Sequence, residues 1–388
     1  MRFSFLSPLK FEDWDWRNPT TPGIGGSETS HIEMACRLAA RGHQVVSYSP
    51  LPADCPDREY GGVTWRHLDE CLYSEPGIWC LYRCPAEVAW FNPQRDDQRL
   101  WLVCQDEDYV PTWRGKDDQF RPRRDQLHRV IALCRAQREQ FEKRYPDLKG
   151  RVYQSSNGIK GDLIQATLAE GLPRHPKRIL YASSPDRGLM QLLWILNRVR
   201  EFDPEFELVV AYGFDNIDKI IAQIQARPEA ERGPIDQQWL QNNTQLRQAL
   251  QSPGVRMLGR LGQPELYRQW AQAGMWVYCT NFRETSCITS MESQALGAIP
   301  VVSPVWAVEE NVRHGVMVEG DAGCPDTLTR FAAEVLRLGN DLATQKVVRQ
   351  DMMPEVLSLF LWERWVEQWE AWALEEPLPC PLPQRAAG

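Results

Sequence analysis

Short apolar runs that alternate with longer amphipathic stretches are the feature that most constrains the fold of this chain. The runs are rich in valine, isoleucine and aromatic residues, and the stretches between them carry apolar residues at helical spacing. Strands that are separated by helices pair in parallel, because each crossover returns the chain to the same end of the sheet. The pattern therefore predicts an α/β fold with parallel sheets. The expected strands cover residues 45–48, 101–104, 130–133, 178–182, 207–211, 255–258, 275–279 and 299–302.

The length of 388 residues predicts two domains, since one hydrophobic core rarely grows beyond about 250–300 residues. A polar, proline-containing connection at 168–176 separates two alternating series. We therefore place one Rossmann-like domain at 1–165 and a second at 176–350. Residues 354–374 are predicted to form one long helix that crosses back to the first domain. The proline-rich tail at 376–388 is expected to be disordered.

Composition and charge exclude several classes of function. The net charge of −8 and the pI near 5.5 argue against a broad nucleic-acid-binding surface, which needs an excess of positive charge. No stretch of the sequence approaches the ~18 apolar residues of a membrane-spanning helix. The 11 cysteines are scattered and lack the spacing of a zinc site or a disulfide framework. We therefore expect a reducing, cytoplasmic location and no metal site.

Tryptophans near the C-terminus form a stripe on one side of the predicted last helix. They are Trp362, Trp365, Trp369 and Trp372, at spacings of three, four and three. This period favours packing of the stripe against the first domain. An interfacial surface for a lipid or a carbohydrate ring is the alternative, and it leaves peripheral membrane contact open. Glutamates in the same segment disfavour an anionic membrane.

The segment 282–303 carries the strongest chemical signal in the sequence. A helix is predicted over 286–296, and Gly297 is expected to end it. Glu292 falls on the apolar face of that helix, where a carboxylate without a partner would cost several kcal/mol. We therefore expect a binding partner for Glu292.

Glu284 lies in the loop just before this helix. The amides of Thr285, Ser286 and Cys287 are expected to be the free N–H groups of the helix start, which would attract phosphate through their hydrogen atoms and the helix dipole. An anion site flanked by Glu284 and Glu292 suits a nucleotide diphosphate sugar. A helix with a solvated glutamate at each end is the alternative interpretation.

The same segment resembles the signature of family-4 glycosyltransferases. The matching residues are Glu284, Glu292, Ala295-Leu296-Gly297 and Pro300-Val301-Val302. The resemblance implies a GT-B fold, in which two Rossmann-like domains with parallel sheets face each other across a cleft, and sugar transfer with retention at the anomeric carbon. It also implies a UDP- or GDP-linked donor on the second domain and a carbohydrate or glycolipid acceptor on the first, as in polysaccharide biosynthesis. Glu292 would then bind the ribose, and Glu284 the donor sugar.

Further matches extend the resemblance over most of the chain. Gly25-Gly26 precedes the first helix and would approach the diphosphate or the sugar closely. Asn157-Gly158-Ile159 is similar to the turn that ends the first domain of the family. The stretch 183–189 looks like the phosphate-binding turn of the second domain. Within it, Arg187-Gly188 matches a Lys-Gly pair, so Arg187 would neutralise the pyrophosphate and help the leaving group to depart.

The chain departs from the family pattern at two places. Gln105 stands where the family usually carries histidine, and Asp106 follows it. Glutamine cannot act as a general base, although its carbonyl can accept a hydrogen bond. The family's second cation, a few residues before Arg187, is missing, and Arg260 is a candidate substitute. These departures keep two alternatives open: an epimerase or hydrolase of the same fold, or a catalytically silent protein that binds sugar nucleotides or glycans.

Three tryptophans fall in loops that should rim the first-domain side of the cleft. Trp14, Trp16 and Trp113 could stack on an acceptor sugar, with ordinary packing as the alternative. The acidic clusters at 13–15 and 106–108 are interpreted as solvated loops rather than a metal site. Helix termini and cationic side chains would bind the diphosphate instead, so no cofactor or metal is expected.

Overall fold

The polypeptide forms two sheet-based domains with a cleft between them. The computed structural model describes residues 1–8, 12–83, 95–106 and 124–376. Trp113 and residues 377–388 of the predicted tail lie outside these described residues.

The first domain is built on an eight-stranded sheet. Its strands are β1 (Arg2–Leu6), β2 (Gln44–Ser49), β3 (Glu59–Tyr60), β4 (Val63–His67), β5 (Gly77–Tyr82), β6 (Gln98–Val103), β7 (Leu127–Ala132) and β8 (Val152–Gln154), and its helices are α1 (Gly26–Ala40), α2 (Arg135–Arg144) and α3 (Gly161–Ala169). The strand order is β3-β4-β2-β1-β5-β6-β7-β8, and all neighbours are parallel except β3 and β4. The central strands are apolar on both faces because helices cover both sides of such a sheet.

The second domain is built on a six-stranded sheet that is parallel throughout. Its strands are β9 (His175–Tyr181), β10 (Glu207–Val210), β11 (Val255–Met257), β12 (Ala273–Tyr278), β13 (Ile299–Val302) and β14 (Val316–Met317), in the order β11-β10-β9-β12-β13-β14. Its helices are α4 (Leu189–Arg200), α5 (Asp215–Gln225), α6 (Pro234–Ala249), α7 (Gln263–Gln272), α8 (Ile288–Ala295), α9 (Ala307–Asn311) and α10 (Pro325–Asn340). The predicted α/β class with two parallel-sheet domains is therefore confirmed.

The C-terminal helix differs from its prediction. Instead of one helix over 354–374, the chain forms α11 (Leu342–Phe360) and α12 (Trp362–Ala373). The break falls at Leu361, whose backbone is extended (φ −62°, ψ 141°) and pairs with the first domain at Ile159. The Ile159 amide donates to the Phe360 carbonyl over 2.9 Å. Tertiary pairing thus ends a helix that its own sequence would continue, while α11 packs on α8 and α12 on α1.

The tryptophan stripe is buried, which confirms the packing interpretation. Trp369 packs against Phe5 and Trp101 of the first sheet, with ring centroids 6.3 and 5.9 Å away. Its indole N–H donates to Ser155 Oγ over 3.1 Å. No described helix is long and apolar enough to cross a membrane.

Candidate active site

A cleft runs between the two domains at the carboxyl ends of β5, β6, β9 and β12. Residues from both domains line it, including the loop before α1, the turn before α4 and the loop before α8. Parallel sheets place ligands at this edge, because the loops that follow the strands gather there. Most of the residues predicted for the site are brought together in this cleft.

Gly25 and Gly26 form the start of α1 on the first-domain wall. Gly25 is the residue before the first helical turn and has no side chain to cap it. A Cβ atom at Gly25 would meet the carboxylate of Glu28, the movable end of a flexible side chain, so this contact alone does not require glycine. Gly25 and Gly26 are exposed and line the cleft.

Arg83 is a cleft residue that sequence reasoning missed. It directly follows β5 and has a left-handed backbone (φ 56°), which is strained for any residue except glycine. Its guanidinium forms ion pairs with Glu28 at 3.2 Å and with Asp106 at 2.9 Å. The sequence does indicate this residue in one respect: an arginine that directly follows a buried strand lies at the sheet edge where ligands bind.

Gln105 lies at the end of β6, 8% exposed. Its side-chain amide pairs reciprocally with that of Asn157, at 3.1 and 3.3 Å, and also donates to Ser30 Oγ at 3.2 Å. Its backbone carbonyl accepts a hydrogen bond from Thr285 Oγ1 of the second domain over 2.9 Å. Gln105 therefore lines the cleft while the protein itself occupies its polar atoms.

Arg187 and Glu284 face each other on the second-domain wall. Arg187 Nη1 lies 3.1 Å from Glu284 Oε1, which also accepts a hydrogen bond from the Tyr278 hydroxyl over 2.7 Å. The Arg187 guanidinium stacks over Phe282, 4.1 Å from the ring centroid. Burial is the largest single effect and disfavours the charged form of Arg187, but Glu284 and other nearby groups together raise the arginine pKa above its ordinary value.

Gly188 sets the direction of the turn that carries Arg187. Its φ of 103° is open to glycine, and a Cβ there would collide with the Cys279 carbonyl at the end of β12. Helix α4 begins directly afterwards at Leu189. The backbone therefore places a cation beside a helix N-terminus, which together suit a phosphate group.

Glu292 has the partners that its sequence position demanded. Its carboxylate is 3% exposed, and Oε1 accepts hydrogen bonds from the Tyr267 hydroxyl at 2.8 Å and from Gln263 Nε2 at 3.2 Å. Burial raises the pKa of Glu292 to about 7, although both hydrogen bonds and the charge of Lys160 act in the opposite direction. Tyr267 and Gln263 were not predicted, because they lie on α7, a helix remote in sequence.

The start of α8 corrects one expectation. The helix begins at Ile288 rather than Ser286, and Cys287 before it has a left-handed backbone (φ 54°) that cannot join the helix. Thr285 and Ser286 thus precede the first turn. Their hydroxyls bridge to the first domain: Thr285 donates to Gln105, and Ser286 Oγ accepts from the Asn157 amide over 3.1 Å.

Burial favours the packing interpretation for Trp14, and neighbouring side chains engage Trp16 and Arg260. Trp14 is 1% exposed, and its ring packs edge-on against His31, so no face is open to a sugar. Trp16 stacks on Tyr60 at 3.7 Å between ring centroids. Arg260 forms a bidentate ion pair with Glu12 at 2.6 and 2.9 Å. Among the described residues that line the cleft, the cation other than Arg187 is Arg83 of the first domain.

No group of three or more histidine, cysteine, aspartate or glutamate side chains among the described residues could hold a metal ion. Asp106, the acidic residue of the first-domain wall, is engaged by Arg83. The described cleft therefore combines two cations and four carboxylates in ion pairs and hydrogen bonds. The four carboxylates are Glu28, Asp106, Glu284 and Glu292.

Comparison with known proteins supports the architecture. The sequence matches no protein-family model and no curated protein. Sucrose-phosphate synthase from Thermosynechococcus elongatus superposes with a TM-score of 0.67 at 15% identity, over 96% of this chain and 98% of that one. Anabaena HepE in complex with UDP and glucose gives 0.64 at 14% identity, over 97% and 99%.

A TarM mutant from S. aureus, in complex with fondaparinux, alpha-GlcNAc-glycerol and UDP, gives a TM-score of 0.54 at 14% identity. The match covers 76% of this chain and 55% of the TarM chain, so this chain spans only about half the length of TarM. At these identities the likeness shows the fold alone. That fold is GT-B, the architecture of glycosyltransferases with two parallel-sheet domains.

Proposed function

We propose that the chain is a retaining, family-4 type glycosyltransferase that moves a sugar from a UDP- or GDP-linked donor to a hydroxyl acceptor. The observation that carries the proposal is the convergence of Arg187, Glu284 and Glu292 in one cleft of a GT-B fold. The ligands of the compared structures support it, since HepE holds UDP and glucose and TarM holds UDP.

The second-domain wall offers a group for each part of a nucleotide diphosphate sugar. Arg187 and the N-terminus of α4 would bind the diphosphate. Glu292 would bind the nucleotide ribose as a hydrogen-bond acceptor. Glu284, held by Tyr278 and Arg187, would bind the donor sugar.

The transfer step would use the donor's own phosphate as the base. The bond from the anomeric carbon to the phosphate oxygen breaks, and the acceptor oxygen bonds to that carbon on the same face. The acceptor proton passes to the leaving phosphate oxygen. Arg187 would stabilise the charge that develops on that group. This route needs no side-chain base, which is compatible with Gln105 where the family carries histidine.

The acceptor would be a carbohydrate or glycolipid hydroxyl that binds the first-domain wall near Arg83 and Asp106. Contacts between the domains, such as Thr285 with Gln105 and Ser286 with Asn157, would keep water away from the activated sugar. A glycolipid acceptor would bring the protein to a membrane surface from the cytoplasm.

Thermal unfolding with a panel of UDP- and GDP-sugars tests the donor. The true donor at 100 times its Kd should stabilise the protein by about 2.7 kcal/mol. Mass spectrometry of acceptors and NMR of the new linkage then test transfer. An unchanged anomeric configuration is expected, and an inverted one would contradict the retaining assignment. Transfer should also survive EDTA. An EDTA-treated enzyme that is inert and recovers with manganese would show that a metal is required.

A catalytically silent sugar-nucleotide-binding protein is the second candidate. The internal hydrogen bonds of Gln105 favour it, because both polar atoms of this side chain are already engaged by Ser30 and Asn157 and only one acceptor position on Oε1 is left for a sugar. Donor binding without transfer or hydrolysis across a broad acceptor panel would select this alternative.

A further inference from the structure

Gln263 is the first residue of α7, and it contacts both the first domain and Glu292. Its backbone N–H donates to the Pro19 carbonyl of the first domain over 2.8 Å. Its side-chain Nε2 donates to Glu292 Oε1 over 3.2 Å. The residue also lines the cleft itself. Gln263 is thus held by the first domain through its backbone and by Glu292 through its side chain.

The side-chain oxygen of Gln263 is a hydrogen-bond acceptor beside the cleft. Oε1 is buried and accepts no hydrogen bond from any described residue. Its identity follows from its surroundings, because an ionised Glu292 can only accept and therefore requires Nε2 of Gln263 to face it. Buried polar atoms in native proteins are nearly always paired. An unpaired acceptor beside an open cleft therefore points to a ligand group that donates there.

The neighbouring carboxylate presents a second acceptor. Both hydrogen bonds to Glu292 reach Oε1, and its Oε2 accepts none from the described residues. Two acceptor oxygens on adjacent side chains match two donors on adjacent atoms. The vicinal hydroxyls of a ribose are such a pair, whereas a phosphate offers only acceptors and would be repelled here.

The loop Pro19–Gly23 of the first domain fixes this arrangement. A Cβ atom at Gly262 would collide with the Thr20 carbonyl, and one at Gly23 with the Leu261 carbonyl. Such close packing leaves the backbone before α7 little freedom. The backbone of Gln263 is therefore fixed in position while the two domains are in contact.

From this geometry we infer that Gln263 is a nucleotide-binding residue whose Oε1 accepts a hydrogen bond from one ribose hydroxyl, beside Glu292, which takes the other. The inference rests on the proposed function, because it assumes that a nucleotide occupies the cleft. It makes the site selective for ribonucleotides over their deoxy counterparts through two residues rather than one.

A double-mutant cycle between protein and ligand tests the inference. Gln263→Met keeps the side-chain length and removes both polar atoms. Gln269→Met, on the same helix but bonded to Glu265, is the matched control. Calorimetric titration would compare UDP and GDP with their 2′-deoxy and 3′-deoxy forms on each protein. We expect Gln263→Met to weaken binding of the ribonucleotide about tenfold, and the control to bind as the wild type does.

The ligand arm identifies the contact. One of the deoxy nucleotides should bind the wild type about tenfold more weakly than the corresponding ribonucleotide does. The same deoxy nucleotide and ribonucleotide should bind Gln263→Met equally tightly, because the variant has already lost the contact that the missing hydroxyl would make. Gln263→Asn, which keeps an amide but shortens it, should show the same loss if the methionine variant does not fold. Equal affinity of the wild type and the folded variants, or additive losses, would overturn the inference alone. Failure of the wild type to bind UDP or GDP would overturn the proposed function with it.

Discussion

Arg187 and Glu284 form an ion pair on the second-domain wall, with 3.1 Å between Nη1 and Oε1. The two residues follow different strands, β9 and β12, which are neighbours in the sheet. Each charge neutralises the other. A diphosphate would compete for Arg187, while Tyr278 would keep Glu284 in place through its hydrogen bond to the same oxygen. Substitutions of Arg187 and of Glu284 should therefore have different effects on nucleotide binding and on turnover.

Arg187→Ala is expected to reduce sugar transfer by roughly 10²-fold, or about 2.7 kcal/mol of charge stabilisation lost at the leaving group. Arg187→Lys should recover part of the activity, because a lysine supplies charge without the guanidinium geometry. Arg198→Ala, on the exposed side of α4, is the matched control. The measurement is kcat with the cognate donor. Unchanged kcat in Arg187→Ala would remove Arg187 from the transfer step.

Glu284→Gln is expected to lower kcat far more than it lowers affinity for the free nucleotide. The reason is that Glu284 is proposed to bind the donor sugar, and its loss releases Arg187 for the phosphate. Calorimetry with UDP or GDP and turnover at saturating donor separate the two effects, and Glu309→Gln, at an exposed position of α9, serves as control. Collapsed nucleotide affinity with normal turnover would show that Glu284 binds the nucleotide instead.

The buried Glu292 predicts a pH dependence of nucleotide binding. Burial raises its pKa to about 7 from 4.5, and only the ionised carboxylate makes charge-assisted hydrogen bonds to ribose hydroxyls. Nucleotide affinity should therefore rise as the pH increases through about 7. In Glu292→Gln this rise should be absent. The ratio of the two dissociation constants between pH 5.5 and 8.5 cancels titration of the ligand phosphate, and a constant ratio would refute the assignment.

The same shift has a consequence for stability. Because the pKa of Glu292 in the folded state lies above the unfolded value, its ionisation destabilises the fold. The loss of stability begins as the pH rises past about 4.5 and is complete above about 7. The free energy of unfolding of Glu292→Gln, relative to that of the wild type, should therefore be higher at pH 8 than at pH 4.5. Chemical denaturation at the two pH values measures this difference.

The sequence was sufficient for features that depend on local pattern. The parallel sheets follow from the alternation of strands and helices, and burial of the tryptophan stripe follows from its helical period. The need for partners at Glu292 followed from a carboxylate on an apolar helix face. In each case the residues that decide the outcome lie within one or two elements.

Features that depend on contacts distant in sequence were beyond such reasoning. The partners of Glu292 are Tyr267 and Gln263, on another helix. The break at Leu361 is imposed by Ile159, about two hundred residues away. Arg83 enters the cleft because β5 ends there, which requires the strand order and not only the strands. Local pattern therefore indicated which residues line the second-domain wall of the cleft better than which residues line the first-domain wall.

Trp369→Ala is expected to destabilise the protein by about 3–5 kcal/mol, the usual cost of removing a buried tryptophan. The ring is 2% exposed and attaches α12 to the first sheet through Phe5 and Trp101. Trp194→Ala, which removes a 40% exposed ring from α4, should change stability by no more than about 0.5 kcal/mol. Urea unfolding followed by circular dichroism provides the comparison. Similar midpoints for both variants would contradict the anchoring role of α12.

Glu310 supplies a contact between the domains that can be tested separately from the chemistry. Its carboxylate, on α9 of the second domain, accepts hydrogen bonds from the Arg135 amide at 2.8 and 3.1 Å and from Gln154 at 3.1 Å. Arg135 begins α2 of the first domain, so a negative charge meets the positive end of that helix dipole. Burial raises the pKa of Glu310, while these donors oppose the shift.

Glu310→Ala should therefore favour separation of the two domains, since a partly buried charge at a helix N-terminus contributes about 1–2 kcal/mol. The expected result is a larger radius of gyration in small-angle X-ray scattering without ligand, and a return to the wild-type value with saturating nucleotide. KM for the donor should rise several-fold while kcat stays near the wild-type value, because no catalytic group is lost. Glu309→Ala, one residue away and exposed, is the control. An unchanged radius together with an unchanged KM would show that Glu310 does not hold the domains together.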